Sequence, residues 1–136
     1  YNMNDLAASI GLAQLKKLPA MNAHRSALIR TYMDGVKNVD GVQLLLPFEP
    51  ETYCYQMFGI RAKHRDRLML HLKSKGIATG CHYTPLSMQP LFAPWGGTTP
   101  WIEREHQRFI TLPLHADLTM DEVRYVVQEI MNGCRP

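Results

Sequence analysis

Residues 65–83 read RDRLMLHLKSKGIATGCHY, a stretch that joins an amphipathic helix to a run of small residues. Leu68, Met69 and Leu72 share one face of that helix, and its arginines and lysines point to water. Gly76 follows the last turn, where a glycine adopts the left-handed backbone of a helix cap without a Cβ penalty. The stretch therefore predicts a helix, a glycine turn and a short extended segment, in that order.

The extended segment leads into a clustered set of polar groups. Its small residues, 78–80, allow another backbone or a ligand to approach closely. His82 and Tyr83 come next, and Pro85 stiffens the chain behind them. The pattern favours a substrate-contacting loop. The alternative is that His82 and Tyr83 are half-buried aromatics at the end of a strand, and spacing alone does not separate the two interpretations.

The N-terminal part of the chain predicts two helices. The first covers residues 4–18, with Asn4 or Asp5 placed to cap it. Pro19 suits the first turn of the second helix, which we expect to end near residues 35–41.

Two short strands and an irregular stretch fill the middle. Residues 42–46, closed by Pro47, form a short apolar run, and residues 53–61 are rich in strand-forming side chains. Residues 86–100 hold many prolines and glycines, which predicts an irregular excursion with at most a short helical turn. Trp95 within it and Trp101 just after it are either anchors for the excursion or a subunit contact, and packing is the favoured interpretation.

The last helix carries the strongest local signal. Thr119 and Glu122 form a capping box, and Leu118 with Val123 forms a hydrophobic staple. Apolar residues then repeat at helical spacing, and Gly133 is expected to end the helix. Helices interleaved with short strands predict an α/β domain in which helices pack on a small sheet.

Composition indicates one domain and excludes several function classes. The chain has 136 residues and a net charge of +3, with basic residues scattered among acidic ones, so nucleic-acid binding is not expected. No apolar run approaches the roughly 20 residues of a membrane span. Three cysteines without paired spacing, and no signal peptide, point to reduced thiols in the cytoplasm. Cys81 and His82 lack a second ligand pair, so no metal site is expected.

Four segments, spread in order over nearly the whole chain, carry a resemblance. They are residues 1–15, with NDLAASIGLAQL, residues 65–83, with KSKGIATGCHY, residues 86–92, LSMQPLF, and residues 111–119, TLPLHADLT. Together they resemble the C-terminal part of the pyridoxal-phosphate-dependent nucleotide-sugar aminotransferases of the DegT/StrS family, which includes perosamine synthase. The resemblance implies the small C-terminal domain of a fold-type-I transferase. Within residues 1–136, residues 1–40 would bridge to a large domain outside this chain, and residues 41–136 would form the small α/β domain.

The resemblance also implies what this chain lacks. In such enzymes a lysine of the large domain binds pyridoxal phosphate covalently, and no lysine of this chain matches its motif. No catalytic residue is therefore expected here, and the chain alone should be inactive. The residues carried over are Asn2, as a donor to the cofactor phosphate of the neighbouring subunit, and His82 with Tyr83, near the sugar nucleotide. The alternative for Asn2 is a frayed terminus.

The resemblance implies amino transfer, and two other functions stay possible. The full-length enzyme would convert a nucleotide-linked keto sugar to an amino sugar, with glutamate as donor, for cell-surface polysaccharide, O-antigen or related synthesis. It would act as a homodimer, so residues 1–15 should leave an apolar surface and make the isolated chain self-associate. A sugar dehydratase of the same family, with histidine at the lysine position, is the second possibility. A non-catalytic sugar-nucleotide-binding or dimerisation module is the third.

Overall fold

The computed structural model describes residues 2–45 and 49–135. It confirms the α/β class. In chain order the elements are α1 (Asp5–Val36), β1 (Val42–Leu44), β2 (Phe58–Ala62), α2 (Arg65–Ser74), 3-10 helices over Leu86–Met88 and Pro90–Trp95, α3 (Pro100–His106), β3 (Phe109–Leu112) and α4 (Met120–Cys134).

The N-terminal part is one helix of 32 residues, so the expectation of two helices was wrong. Asn4 caps it as predicted, because its Oδ1 accepts a hydrogen bond from the Ala7 N–H at 2.8 Å. Pro19 lies inside the helix. A proline removes one N–H and crowds the carbonyl four residues earlier, here that of Leu15. Leu15 is exposed, so water can hydrate that carbonyl and the helix continues.

The two halves of α1 have different surroundings. Nearly all residues from 2 to 20 are exposed, whereas Leu28, Ile29, Tyr32 and Val36 are buried. These four belong to a core whose other buried members come from the sheet, α2, α4 and the adjoining loops. Among the described residues, no helix combines the length and the apolar character needed to cross a membrane.

The sheet is antiparallel, in the order β1-β2-β3. The structure keeps only the end of the predicted strand over 53–61, and β3 was not predicted as a strand. Leu46, the expected last residue of the first strand, and Pro47, expected to close it, lie outside the described residues. Helices α1 and α2 contact the sheet, and α4 packs against both of them. The helices therefore cover a small sheet, as predicted.

Helix α4 forms as expected except at its end. The Thr119 Oγ1 accepts from the Glu122 N–H at 3.2 Å, and the Glu122 Oε2 accepts from the Thr119 N–H at 2.7 Å. Gly133 lies within the helix rather than after it. A Cβ at Gly133 would lie 2.8 Å from both Leu68 Cδ1 and His71 Cδ2. Gly133 thus lets α4 approach α2 closely.

The stretch over residues 86–100 contains two 3-10 helices, more than the single short helical turn that was expected, and is otherwise irregular as predicted. The expected packing of the two tryptophans was wrong, since Trp95 in this stretch is 75% exposed and Trp101 in α3 is 54% exposed. The segment is short and rich in proline and glycine, so its own side chains cannot enclose an indole.

Candidate functional site

The candidate site begins where α2 ends. Gly76 has a φ of 75°, its N–H donates to the Lys73 carbonyl, and the Ile77 N–H donates to the Leu72 carbonyl. These two bonds, 3.0 and 2.9 Å long, form a Schellman motif. Ile77 is buried against the core. The predicted role of Gly76 is confirmed, and the chain leaves the helix in a defined direction.

The next residues are attached to the edge of the sheet. The Gly80 N–H donates to the Thr111 carbonyl at 3.1 Å, and the Thr111 N–H donates to the Gly80 carbonyl at 2.7 Å. Thr111 belongs to β3, so loop 76–86 is fixed at both its helical start and its centre. The small residues over 78–80 thus admit another backbone, as their size predicted.

His82 and Tyr83 extend from this fixed point into solvent. Both are exposed, Tyr83 by 75%, and their rings meet edge to face with centroids 4.9 Å apart. The His82 imidazole also lies over Gly80, where a Cβ would come within 2.6 Å of its Cε1. Neither side chain hydrogen-bonds to another residue in the part of the chain that the structure describes. Their polar atoms are therefore free to bind a ligand, and the half-buried alternative does not hold.

Cys81 lies on the inner side of the loop. Its Sγ is 3.3 Å from Nδ1 of His106, the last residue of α3. This contact ties the loop to a second element. Sequence reasoning missed His106, because 25 positions separate the two residues and no spacing signal links them. Across residues 2–45 and 49–135, no group of three His, Cys, Asp or Glu side chains is arranged to hold a metal ion.

A compact segment, residues 86–99, follows the loop. Glu103 of α3 closes it, since its Oε1 accepts from Ser87 Oγ at 2.6 Å and from the Thr99 N–H at 2.9 Å. The hydrogen bond from the Ser87 hydroxyl, followed by that from the Thr99 amide, holds the pKa of Glu103 below its usual value. The segment encloses a groove of about 280 Å³ lined by Leu86, Phe92, Trp95 and neighbouring glycines and hydroxyls. Sequence reasoning missed this groove and the role of Glu103.

The structure leaves Asn2 apart from these residues. It is exposed, it precedes the cap of α1, and its side chain bonds to no other described residue. The six lysines of the chain are all exposed, and none lies in loop 76–86; they are Lys16, Lys17, Lys37, Lys63, Lys73 and Lys75. The site thus holds hydrogen-bonding groups but no lysine.

Two further grooves, of about 430 and 440 Å³, lie elsewhere. Both are lined by Asp40, Gly41 and Lys63, and neither shares a residue with loop 76–86. Cys134 lines one of them, and burial raises the pKa of its thiol. They are separate from the site built on His82.

Several solved structures that this chain resembles in fold are aminotransferases. TlmJ from Streptoalloteichus hindustanus, an aminotransferase, is 32% identical with a TM-score of 0.85, over 96% of this chain and 36% of its own. Spr1654 from Streptococcus pneumoniae, solved in a PLP form, is 25% identical with a TM-score of 0.83, over 98% of this chain and 36% of its own. The sugar aminotransferase CalS13 from Micromonospora echinospora is 24% identical with a TM-score of 0.86, over 96% of this chain and 36% of its own.

The three structures match the same part of their chains, and the family match points to the same class of enzyme. The chain spans a little over a third of the length of each of these structures. The sequence itself matches the DegT/DnrJ/EryC1/StrS aminotransferase family over residues 1–131. The match includes the helix that begins at Asp5, loop 76–86 and most of α4. The chain therefore belongs to the DegT/DnrJ/EryC1/StrS aminotransferase family.

Proposed function

We propose that this chain is part of a pyridoxal-phosphate-dependent aminotransferase that converts a nucleotide-linked keto sugar to an amino sugar, with glutamate as amino donor. The observation that carries the proposal is loop 76–86. The chain belongs to a family of aminotransferases. In this chain the loop is fixed by Gly76 and by the Gly80–Thr111 pairing, and it exposes two polar rings to solvent. A loop with so few conformations suits recognition of a small polar ligand.

His82 and Tyr83 would bind and orient the substrate. An imidazole donates or accepts a hydrogen bond at either nitrogen according to its tautomer, and a phenol does both at one oxygen. Sugar hydroxyls and phosphate oxygens are suitable partners for these groups. The edge-to-face contact between the two rings favours one relative orientation, so the substrate would meet a paired set of groups. The product would serve cell-surface polysaccharide, O-antigen or related amino-sugar synthesis.

Pyridoxal phosphate is the cofactor of this proposal. When bound, it supplies the electron sink that lets an amino group pass between carbon atoms. The residues of this chain fit only a supporting role in cofactor binding. The exposed amide of Asn2 can donate a hydrogen bond to a phosphate oxygen, and the exposed lysines all lie outside loop 76–86. The lysine that binds the cofactor would lie in the remainder of the longer protein, so this chain alone would not transfer amino groups.

The proposed enzyme is a homodimer of the cytoplasm. The first half of α1 exposes apolar side chains that a partner or the remaining protein would cover; they are Met3, Leu6, Ile10, Leu12, Leu15 and Leu18. All three cysteines are free thiols, which fits a reducing compartment. The apolar surface of α1 would thus form the contact with the partner or the remaining protein, and loop 76–86 would bind the substrate.

The full-length protein, this chain with its upstream sequence, tests the proposal. We expect a visible absorbance band after adding pyridoxal phosphate, and borohydride reduction should fix the cofactor to an upstream lysine found by mass mapping. Glutamate with UDP-, dTDP- or GDP-linked keto sugars should yield an amino sugar. The 136-residue chain alone is the control and should give neither result.

Two other outcomes would overturn the proposal. Cofactor binding with loss of water and no amino transfer would identify a dehydratase. A cofactor-free spectrum together with retained nucleotide-sugar binding would identify a binding or dimerisation module.

A further inference from the structure

Helices α2 and α4 make polar contacts at the end of α2 that leads into loop 76–86. Glu129 of α4 is a carboxylate, yet it is only 7% exposed. Its Oε2 lies 2.9 Å from Nε2 of His71, in the last turn of α2, and 3.9 Å from Nζ of Lys75. Its Oε1 accepts a hydrogen bond from Asn132 Nδ2 at 3.1 Å. Both oxygens of this buried group therefore have partners.

Tyr125 adds a further contact at the same place. Its hydroxyl donates to the Lys75 carbonyl at 3.3 Å. That carbonyl lies at the end of α2, where helix carbonyls lack partners within the helix. Tyr125, Glu129 and Asn132 recur at helical spacing and so share one face of α4. These three residues, together with His71 and Lys75, form what we call the polar seam.

The polar seam ends where loop 76–86 begins. Lys75 directly precedes Gly76, whose positive φ turns the chain toward Gly80. His82 follows two positions later. Apolar contacts between helices are not directional, whereas hydrogen bonds depend on distance and angle, so the polar seam limits how α2 can rotate or slide on α4. A displaced end of α2 would start the loop in another direction.

We propose that Glu129 is a positioning residue for substrate binding: it holds the end of α2 through His71 and so sets how loop 76–86 presents His82. The inference rests on the proposed function of the loop. In the described part of the chain, no hydrogen bond joins Glu129 to the loop. Its effect on the substrate must therefore pass through α2.

Replacing Glu129 in the full-length enzyme tests the inference. Glu129→Leu should fold, because exchanging a buried charge for an apolar residue of similar volume is often tolerated. With glutamate and a nucleotide-linked keto sugar, it should raise the KM for the nucleotide sugar about fivefold and change kcat little. Glu129→Gln keeps an oxygen that can accept from His71 Nε2. It should therefore restore the KM to within about twofold of wild type.

A double variant separates positioning from a general structural effect. Glu129→Leu combined with His82→Ala should raise the KM no further than His82→Ala alone, because Glu129 acts through the loop that carries His82. Increases that multiply in the double variant would show an independent effect and overturn the inference. His71→Leu breaks the same contact from α2, at a side chain that is 26% exposed, and should give the same increase as Glu129→Leu.

The matched control is Arg124→Ala. Arg124 lies on the exposed face of the same helix, where it pairs with Asp121 at 2.6 Å, and its loss should leave the KM unchanged. If Glu129→Leu and His71→Leu have the KM of wild type, while wild type transfers amino groups to a nucleotide sugar, the inference falls and the proposed function stands. If wild type turns over no nucleotide sugar, both fall.

Discussion

The imidazole of His82 lies against the backbone of Gly80, so closely that a Cβ on Gly80 would be 2.6 Å from His82 Cε1. Gly80 is also the residue whose N–H and carbonyl pair with Thr111 of β3. One glycine therefore both fixes loop 76–86 to the sheet and leaves the space that the His82 ring occupies. Real Cβ atoms do not approach other atoms so closely, so the ring position depends on this residue.

Gly80→Ala should displace the His82 ring without unfolding the chain. The ring is exposed and can swing away, and the backbone of Gly80 is not in the left-handed region. In the full-length enzyme we expect a several-fold higher KM for the nucleotide sugar, on the order of 1 kcal/mol of lost binding. The double variant Gly80→Ala, His82→Ala should be no worse than His82→Ala alone. Additive effects would show that Gly80 does not act through His82.

Two glycines of α1 provide a matched pair for the packing of that helix on α4. A Cβ at Gly35 would lie 2.4 Å from Val127 Cγ1, whereas Gly11 has nothing within 4 Å. Gly35→Ala should lower the free energy of unfolding by about 1–3 kcal/mol through overpacking. Gly11→Ala should raise it by up to about 1 kcal/mol, because alanine favours a helix. Urea unfolding followed by circular dichroism measures both, and equal effects would contradict the observed packing.

Segment 86–99 should loosen in acid. Hydrogen bonds from Ser87 and Thr99 lower the pKa of Glu103 in the folded state. Its stabilising contribution is then fully present above the unfolded-state pKa and is lost as the pH falls through the folded-state value. Trp95 fluorescence in a Trp101→Phe background should report a transition below the usual pKa of glutamate, and Glu103→Gln should abolish it. An identical transition in Glu103→Gln would assign the change to another group.

The isolated 136-residue chain should self-associate. Apolar side chains such as Leu6 and Ile10 are exposed along the first half of α1, and burying them between copies removes them from water. Light scattering should show a mass that rises with concentration. Leu6→Glu with Ile10→Glu should reduce that rise. A monomer at all concentrations would contradict the prediction.

Local signals predicted the parts of this fold that depend on neighbouring residues. The capping box of Thr119 and Glu122 involves residues three apart, and Gly76 ends a helix through bonds within one turn. Pro19 is a strong local signal that nonetheless misled, because an exposed helix turn tolerates it. Strand β3 was missed because a four-residue strand is specified mainly by its pairing with β2.

The candidate site likewise has parts that neighbouring residues determine and parts that distant residues determine. The loop that carries His82 and Tyr83 could be predicted, because a glycine turn and small residues lead directly to it; their role as substrate-binding residues stays a prediction. The contact of Cys81 with His106 spans 25 positions, and that of Ser87 with Glu103 spans 16. Nothing in the spacing of those residues marks such contacts, since tertiary packing alone brings them together. The ring of His82 over Gly80 was missed for a different reason: it depends on a side-chain orientation that residue types do not specify.

The most direct test of the account is the steady-state kinetics of His82→Ala in the full-length enzyme, with glutamate and a nucleotide-linked keto sugar. His64→Ala is the control, because His64 is also exposed but lies at the start of α2, outside the loop. The account predicts that His82→Ala raises the KM for the nucleotide sugar about tenfold, as expected when a hydrogen bond of roughly 1.4 kcal/mol is lost. His64→Ala should match wild type. Equal kinetics for His82→Ala and wild type would contradict the assignment of loop 76–86 as the substrate-binding element.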